Sequence, residues 1–219
     1  MSPPTPIRRF PPHALSQEDA AVLVSSCRGG TAARDRALLV ILWRAGLRVS
    51  EALSLRFQDV RPHGGALVLR VETPKGFRRG ALPREVALDY GAARHLRPLL
   101  SQKCAGEYLF TTRTGARVQA NHVRRLCGKL AKRAGLARRV HPHAFRHTFA
   151  VEFYSETKDP YLLMLALGHT SLSTTTKYLR TIGATEVIQA TAARRFSLTP
   201  TTGGVTSQEE HYCSGDTAL

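Results

Sequence analysis

Apolar residues along this chain recur with two periods, and the places where the period changes mark its organisation. Ser16 followed by Asp19 is a helix N-cap signature, and the apolar-rich stretch after it predicts a helix to about Cys27, stopped by Arg28-Gly29-Gly30. A second helix is predicted from about Ala32 to Ala45. Its Leu38, Leu39, Ile41, Leu42 and Trp43 cover most of the circumference, which marks a central core helix, and Gly46 suits its C′ position. Ser50 to Leu55 predicts a further short helix. The pattern then changes: Ala66 to Val71, and the stretch around Ala81 to Leu88, read as strands with Thr73-Pro74-Lys75-Gly76 in the turn between them. Helical spacing returns at about 90–101, 119–134 (closed by Gly135), 142–155, 160–167, 171–180 and 184–196. The expected fold is α+β, mainly α-helical, with one small antiparallel β-sheet.

The two flanks have a different composition. Residues 1–15 hold Pro3, Pro4, Pro6, Pro11 and Pro12 with Arg8 and Arg9, as an extended basic arm would. From Ser197 onward Thr, Ser and Gly dominate, which predicts a flexible tail over 197–219. One folded domain over 16–196 is expected between them, without internal repeats.

Charge narrows the partner class. Lys and Arg number 32 against 16 Asp and Glu, a formal net charge of +16 spread through the chain and not gathered in a tail. Such an excess draws polyanions and favours phosphate contacts, so a nucleic acid is the expected partner, with an anionic membrane surface sharing the signal. Cys27, Cys104, Cys127 and Cys213 include no C-x-x-C pair, and reduced thiols are expected. No apolar run approaches the length of a spanning helix, and prolines occupy the place of a signal peptide's hydrophobic segment. A soluble, cytoplasmic protein follows as the expectation.

Four segments carry chemistry: Ala45-Gly46-Leu47-Arg48-Val49-Ser50-Glu51, Thr73-Pro74-Lys75-Gly76, Pro142-His143-Ala144-Phe145-Arg146-His147, and Leu167-Gly168-His169-Thr170 followed by Tyr178. Singly, each has a plain reading. Arg48 after a helix stop can solvate a helix C-terminus. Lys75 can be a solvated turn tip, and His143 and Arg146, three apart, share one helix face with only a surface role. Tyr178 can be a core residue with a wet hydroxyl. His141, His143 and His147 suggest a metal site, but lack a neighbouring Cys or a spaced carboxylate set.

In this order the set resembles the tyrosine recombinase (phage integrase) family, with its Arg, hairpin Lys, His-x-x-Arg, Gly-His and nucleophilic Tyr, over about residues 15 to 195. The resemblance implies a DNA breaking-and-rejoining catalytic core with Arg48, Lys75, His143, Arg146, His169 and Tyr178 as its catalytic residues. Arg48 and Arg146 would offer planar forks of donors to the non-bridging oxygens of a scissile phosphate, with a further hydrogen bond from His169. Tyr178 would be the nucleophile that forms a 3′-phosphotyrosyl link. His143 would be its base and Lys75 the general acid for the departing 5′-oxygen. Glu51, one turn after Arg48, is placed to orient that guanidinium. The covalent link conserves the bond energy, so neither metal nor cofactor is expected.

Family members usually carry a helical core-binding domain ahead of the catalytic domain. Arg48 stands close to Met1, so the expectation is either a minimal recombinase or the catalytic part of a longer one. The turn reads Thr-Pro-Lys-Gly where Gly-Lys-Gly is commoner, and Phe145 stands where Leu is usual; neither change removes a reactive group. Ala184, Val187, Ile188 and Ala192 make an apolar stripe that suits docking on a neighbouring subunit or on its own domain. The implied function is a site-specific recombinase of the integrase type, as found on mobile elements, acting as a tetramer on double-stranded DNA. The alternatives are type IB topoisomerase-like nicking and resealing, and a DNA-binding regulator without catalysis.

Overall fold

The computed structural model describes residues 14–72, 83–172 and 175. Within them, six α-helices surround and extend a central one, and a three-stranded sheet lies at one side.

Helix α1 (Gln17–Ser25) is capped as its sequence requires: the Ser16 hydroxyl accepts from the Asp19 N–H at 3.1 Å. Helix α2 (Ala32–Arg44) is the core helix that its apolar circumference demands, with Leu38, Leu39, Ile41 and Leu42 all 0% exposed. It packs against α1, against α3 (Val49–Ser54), and against α4 (Tyr90–Leu100) and α6 (Pro142–Thr157). Trp43 departs from the expectation. It is only partly buried, because its indole N–H reaches the Glu152 carboxylate of α6 at 3.0 Å. That bond, with the Arg44–Glu152 ion pair at 3.0 Å, fastens the polar edge of α2 to α6.

The sheet has one strand more than the sequence pattern predicts. Strands β1 (Val60–His63), β2 (Ala66–Val71) and β3 (Arg84–Leu88) run antiparallel in the order β1-β2-β3. Strand β1 escapes notice because it is a solvated edge: Arg61, Pro62 and His63 are exposed, and proline is tolerated there since an edge N–H needs no partner. The β1–β2 turn uses Gly64 and Gly65, at φ 50° and 81°, as a tight two-residue hairpin connection demands. Leu67, Leu69 and Val71 of β2, with Val86 and Leu88 of β3, turn one face of the sheet to the core.

Helix α5 (Ala120–Arg133) buries Val123, Cys127, Leu130 and Ala131, one stripe at helical spacing. Its opposite face exposes Arg124, Arg125, Lys129, Lys132 and Arg133. Helix α6 carries Phe145, 0% exposed, into the core, and α7 (Pro160–Leu167) follows with Asp159 as its N-cap. Helix α7 has the predicted limits; the helices expected over 171–180 and 184–196, the arm and the tail lie wholly or mainly outside the described residues. Cys27, Cys104 and Cys127 are free thiols, and no helix among the described residues is long and apolar enough to cross a membrane.

Candidate active site

Four pieces of backbone meet at one place: the α2–α3 junction, the first residue of β3, the first half of α6 and the turn after α7. Glycine makes the first of these possible. Gly46 takes φ 59°, ends α2 and reverses the chain so that Arg48 becomes the N-cap residue of α3. One turn on, Glu51 accepts from the Arg48 backbone N–H at 2.8 Å through Oε2 and from Arg48 Nη1 at 2.8 Å through Oε1. The expected orienting role of Glu51 toward Arg48 therefore has the geometry to support it.

Glu51 is 3% exposed and gathers more than one cation. Arg84 Nη2 lies 3.0 Å from Oε2 and Arg146 Nη1 lies 3.8 Å from it. Burial pushes the carboxyl up, but hydrogen bonding and charge from Arg84, the Arg48 N–H and the charge of Arg146 outweigh it and hold Glu51 below the ordinary value. A carboxylate kept ionised inside the protein fixes the three guanidiniums around it.

Arg146 projects inward from α6 and is 3% exposed. Its Nη1 donates to the Gly46 carbonyl at 2.6 Å and its Nη2 to the Leu167 carbonyl at 2.8 Å. Both ends of the fork thus hold main chain, α2's end on one side and α7's on the other. Arg48 is the more accessible guanidinium, with 23% of its side chain exposed. The sequence expectation gave both arginines the same task. Here Arg48 faces outward while Arg146 also ties the site together.

Gly168, at φ 64°, ends α7 and presents His169, which is 3% exposed. Arg146 Nη2 stands 3.1 Å from His169 Nε2, and Thr175 Oγ1 stands 3.0 Å from Nδ1. A guanidinium can only donate, so Nε2 is the acceptor and Nδ1 carries the proton toward Thr175. Burial, then the charges of Arg146, Arg48 and Arg84, hold the ring's pKa down at about 4, so it is neutral at pH 7. For His169 to donate to a phosphate through Nε2, the proton has to change nitrogen and Arg146 has to give up that contact.

The shift has a consequence for stability. With the folded value at about 4 and the unfolded value near 6.5, the unfolded chain binds more protons between these limits. Stability from this group is complete above about pH 6.5 and is lost as pH falls toward 4. His169→Gln is expected to flatten the fall of the urea midpoint between pH 6.5 and 5; an unchanged slope would refute the assignment.

His143 stands on α6 three residues before Arg146 and is partly open to solvent. Neighbouring protein mass, then Arg146, His141, Arg48 and Arg124, hold it below the usual histidine value. It is consequently neutral near pH 7 and able to accept a proton. The structure thus brings Arg48, Glu51, Arg146 and His169 into one cluster, with His143 beside it. Lys75 and Tyr178 lie outside the described residues. Two members of the cluster went unnoticed in the sequence, Arg84 and Thr175. Arg84 did leave a signal: it alternates with Val86 and Leu88, so it occupies an inward-facing position of β3, where an arginine needs an acidic partner. Thr175, inside a run of threonines, left none.

A family model described as the phage integrase family matches residues 13–182. The chain belongs to the phage integrase family. Within this family of tyrosine recombinases it is similar to XerC of Thermodesulfovibrio yellowstonii, 33% identical over 180 residues, 78% of this chain and 59% of that one. It is also similar to XerC of Oceanobacillus iheyensis, 35% identical over 150 residues, 66% of this chain and 48% of the relative. The chain therefore spans between about half and three-fifths of the length of these curated relatives. Among solved structures, the XerA recombinase superposes with a TM-score of 0.71 at 26% identity, over 89% of this chain and 68% of XerA. XerH bound to a palindromic difH substrate, in a post-cleavage complex, gives 0.69 at 25% identity, over 82% of this chain and 52% of XerH. The mainly helical fold with a small antiparallel sheet is thus that of tyrosine recombinase catalytic domains.

Proposed function

We propose that residues 16–196 form the catalytic domain of a site-specific DNA recombinase, which cleaves and rejoins double-stranded DNA through a 3′-phosphotyrosyl intermediate on Tyr178. The observation that carries this reading is the cluster of Arg48, Arg146 and His169 around buried Glu51, an acid-poor and cation-rich pocket suited to a phosphodiester. The exposed basic face of α5 supports a duplex as the substrate, and the similarity to XerH, a site-specific recombinase bound to a palindromic difH substrate, supports cleavage at a specific site.

In this scheme the Tyr178 oxygen attacks phosphorus while the bond to the 5′-oxygen breaks. The phenol proton passes to His143, and Lys75 protonates the departing 5′-oxygen. Arg48 holds the non-bridging oxygens from the accessible side, with Arg146 and His169 behind it. Attack by a 5′-hydroxyl on the phosphotyrosine then reseals the strand and restores the tyrosine. The bond energy stays in the covalent link, so the scheme uses no cofactor. Strand exchange between two duplexes requires several active sites, and the working form is a multimer, a tetramer on two sites, acting on DNA in the cytoplasm.

The test incubates the protein with supercoiled plasmid and with a nicked duplex of the element's junction, stops with detergent, and looks for protein-linked DNA. Wild type is expected to yield an adduct on the 3′-phosphate and Tyr178→Phe none. Relaxation without partner exchange on paired sites would favour topoisomerase-like nicking and resealing. An absence of adduct on both substrates would leave a DNA-binding regulator as the better reading.

A further inference from the structure

Arg84 is the first residue of β3, the strand that leaves the segment containing Lys75. Its side chain is 7% exposed and every part of the guanidinium is engaged. Nη2 and Nη1 reach the two Glu51 oxygens at 3.0 and 3.3 Å, and Nε donates to the Ala166 carbonyl at 2.7 Å. It also packs under the turn that presents His169. A Cβ placed on Gly168 would stand 2.6 Å from Arg84 Nη1 and 3.1 Å from Cδ, so that turn has room for Arg84 only because residue 168 is glycine.

We propose that Arg84 is a positioning residue of the cleavage site: it holds the Glu51 carboxylate in place, leaves the charge of Arg48 and Arg146 less compensated by that carboxylate and directed to the phosphate, and joins the exit of the Lys75 segment to the turn carrying His169. The inference rests on the reading of this cluster as the strand-cleaving site. Its physical basis is a charge count. One carboxylate among three guanidiniums leaves a local formal charge of +2, the form in which the pocket is suited to a dianionic transition state. Without Arg84 the count falls to +1. Glu51 Oε2 then keeps the Arg48 N–H at 2.8 Å and has Arg146, 3.8 Å away, as a guanidinium to turn to, so the carboxylate competes with the phosphate for that arginine. Bidentate pairing is what fixes the carboxylate's orientation, and a lysine ammonium, a point charge, supplies the charge without the fork. The Ala166 contact extends the same control to α7, whose last turn sets the position of His169.

The experiment compares wild type, Arg84→Ala, Arg84→Lys, Glu51→Gln and the Arg84→Ala/Glu51→Gln pair as full chains. Single-turnover adduct formation on the nicked duplex is measured together with DNA affinity, melting temperature and the melting shift produced by inorganic phosphate. Arg84→Ala is expected to slow adduct formation by about 10²-fold or more while the DNA dissociation constant moves by less than about threefold. Arg84→Lys should recover part of the rate. The pair should be no slower than the worse single variant, since both act through one carboxylate. Phosphate should raise the melting temperature of wild type and raise that of Arg84→Ala much less. An Arg84→Ala rate within threefold of wild type, or multiplicative losses in the pair, would overturn the proposal. Where Arg84→Ala does not fold, Arg84→Lys decides: a folded lysine variant with the wild-type rate and phosphate shift overturns it. Absence of any wild-type adduct would sink the cleavage reading by itself. The phosphate shift still tests Arg84 then, and equal shifts in wild type and variant, or none in wild type, count against it.

Discussion

Arg146→Ala is expected to abolish detectable strand cleavage and, at the same time, to cost the fold about 3–5 kcal/mol, the range found when one partner of a buried ion pair is removed. The two effects have one origin. Arg146 bridges the Gly46 carbonyl at 2.6 Å and the Leu167 carbonyl at 2.8 Å, with 3% of its surface exposed. Truncation leaves two buried acceptors unpaired, each worth about 1–3 kcal/mol. It also removes one of the cations around Glu51 and the donor to His169 Nε2. For the chemistry, losing one fixed donor to developing charge costs about 10²–10³-fold, and displacement of His169 adds to that. Arg146→Lys keeps a charge but cannot span both carbonyls, so most of the stability loss should persist. Urea unfolding and adduct formation on the nicked duplex measure the two effects. A variant within about 1 kcal/mol of wild-type stability would show that these main-chain contacts contribute little.

Much of this was legible in the sequence, for physical reasons. Helix α2 advertised itself because Leu38, Leu39, Ile41 and Leu42 cover most of its circumference, and α7 because Asp159-Pro160 starts it and Gly168 ends it. Glu51 was legible because residues three apart on a helix face one another. Strand β1 was not, since Val60-Arg61-Pro62-His63 is a solvated edge with no alternation to read. The site shows a sharper limit. Spacing put His143 and Arg146 on one helix, but not which way each guanidinium turns. That Arg146 grips main chain while Arg48 stays accessible depends on where α7's last carbonyls lie, a tertiary fact. His169's partner Thr175 is fixed by the same packing. Arg84 lay between these cases. The strand's alternation placed an arginine on the buried face, while the identity of its partner depended on how β3 meets α3.

The other large effect is expected at a residue with no side chain. Gly46→Ala should destabilise the fold by about 2–5 kcal/mol and slow cleavage by about 10–10²-fold, although residue 46 has no group to offer a substrate. Two costs add. An alanine at φ 59° pays the left-handed penalty of about 1–2 kcal/mol. Its Cβ would also stand well inside contact distance of the Phe149 ring, meeting Cδ1, Cε1 and Cγ of a side chain only 7% exposed. Phe149 is stacked on Phe153, with centroids 5.3 Å apart, so the ring has little freedom to retreat and overpacking of about 1–3 kcal/mol follows. The activity loss comes through the carbonyl. Gly46 O is the acceptor for Arg146 Nη1, and a backbone pushed off Phe149 carries that acceptor with it, shifting Arg146 and the carboxylate beside it. Phe149→Leu in the Gly46→Ala background separates the terms: it relieves the collision and leaves the dihedral penalty, so stability and rate should recover in part and together. Recovery of stability with no recovery of rate would break the link drawn between this turn and Arg146. A Gly46→Ala protein as stable and active as wild type would show that the turn adjusts without moving the clamp.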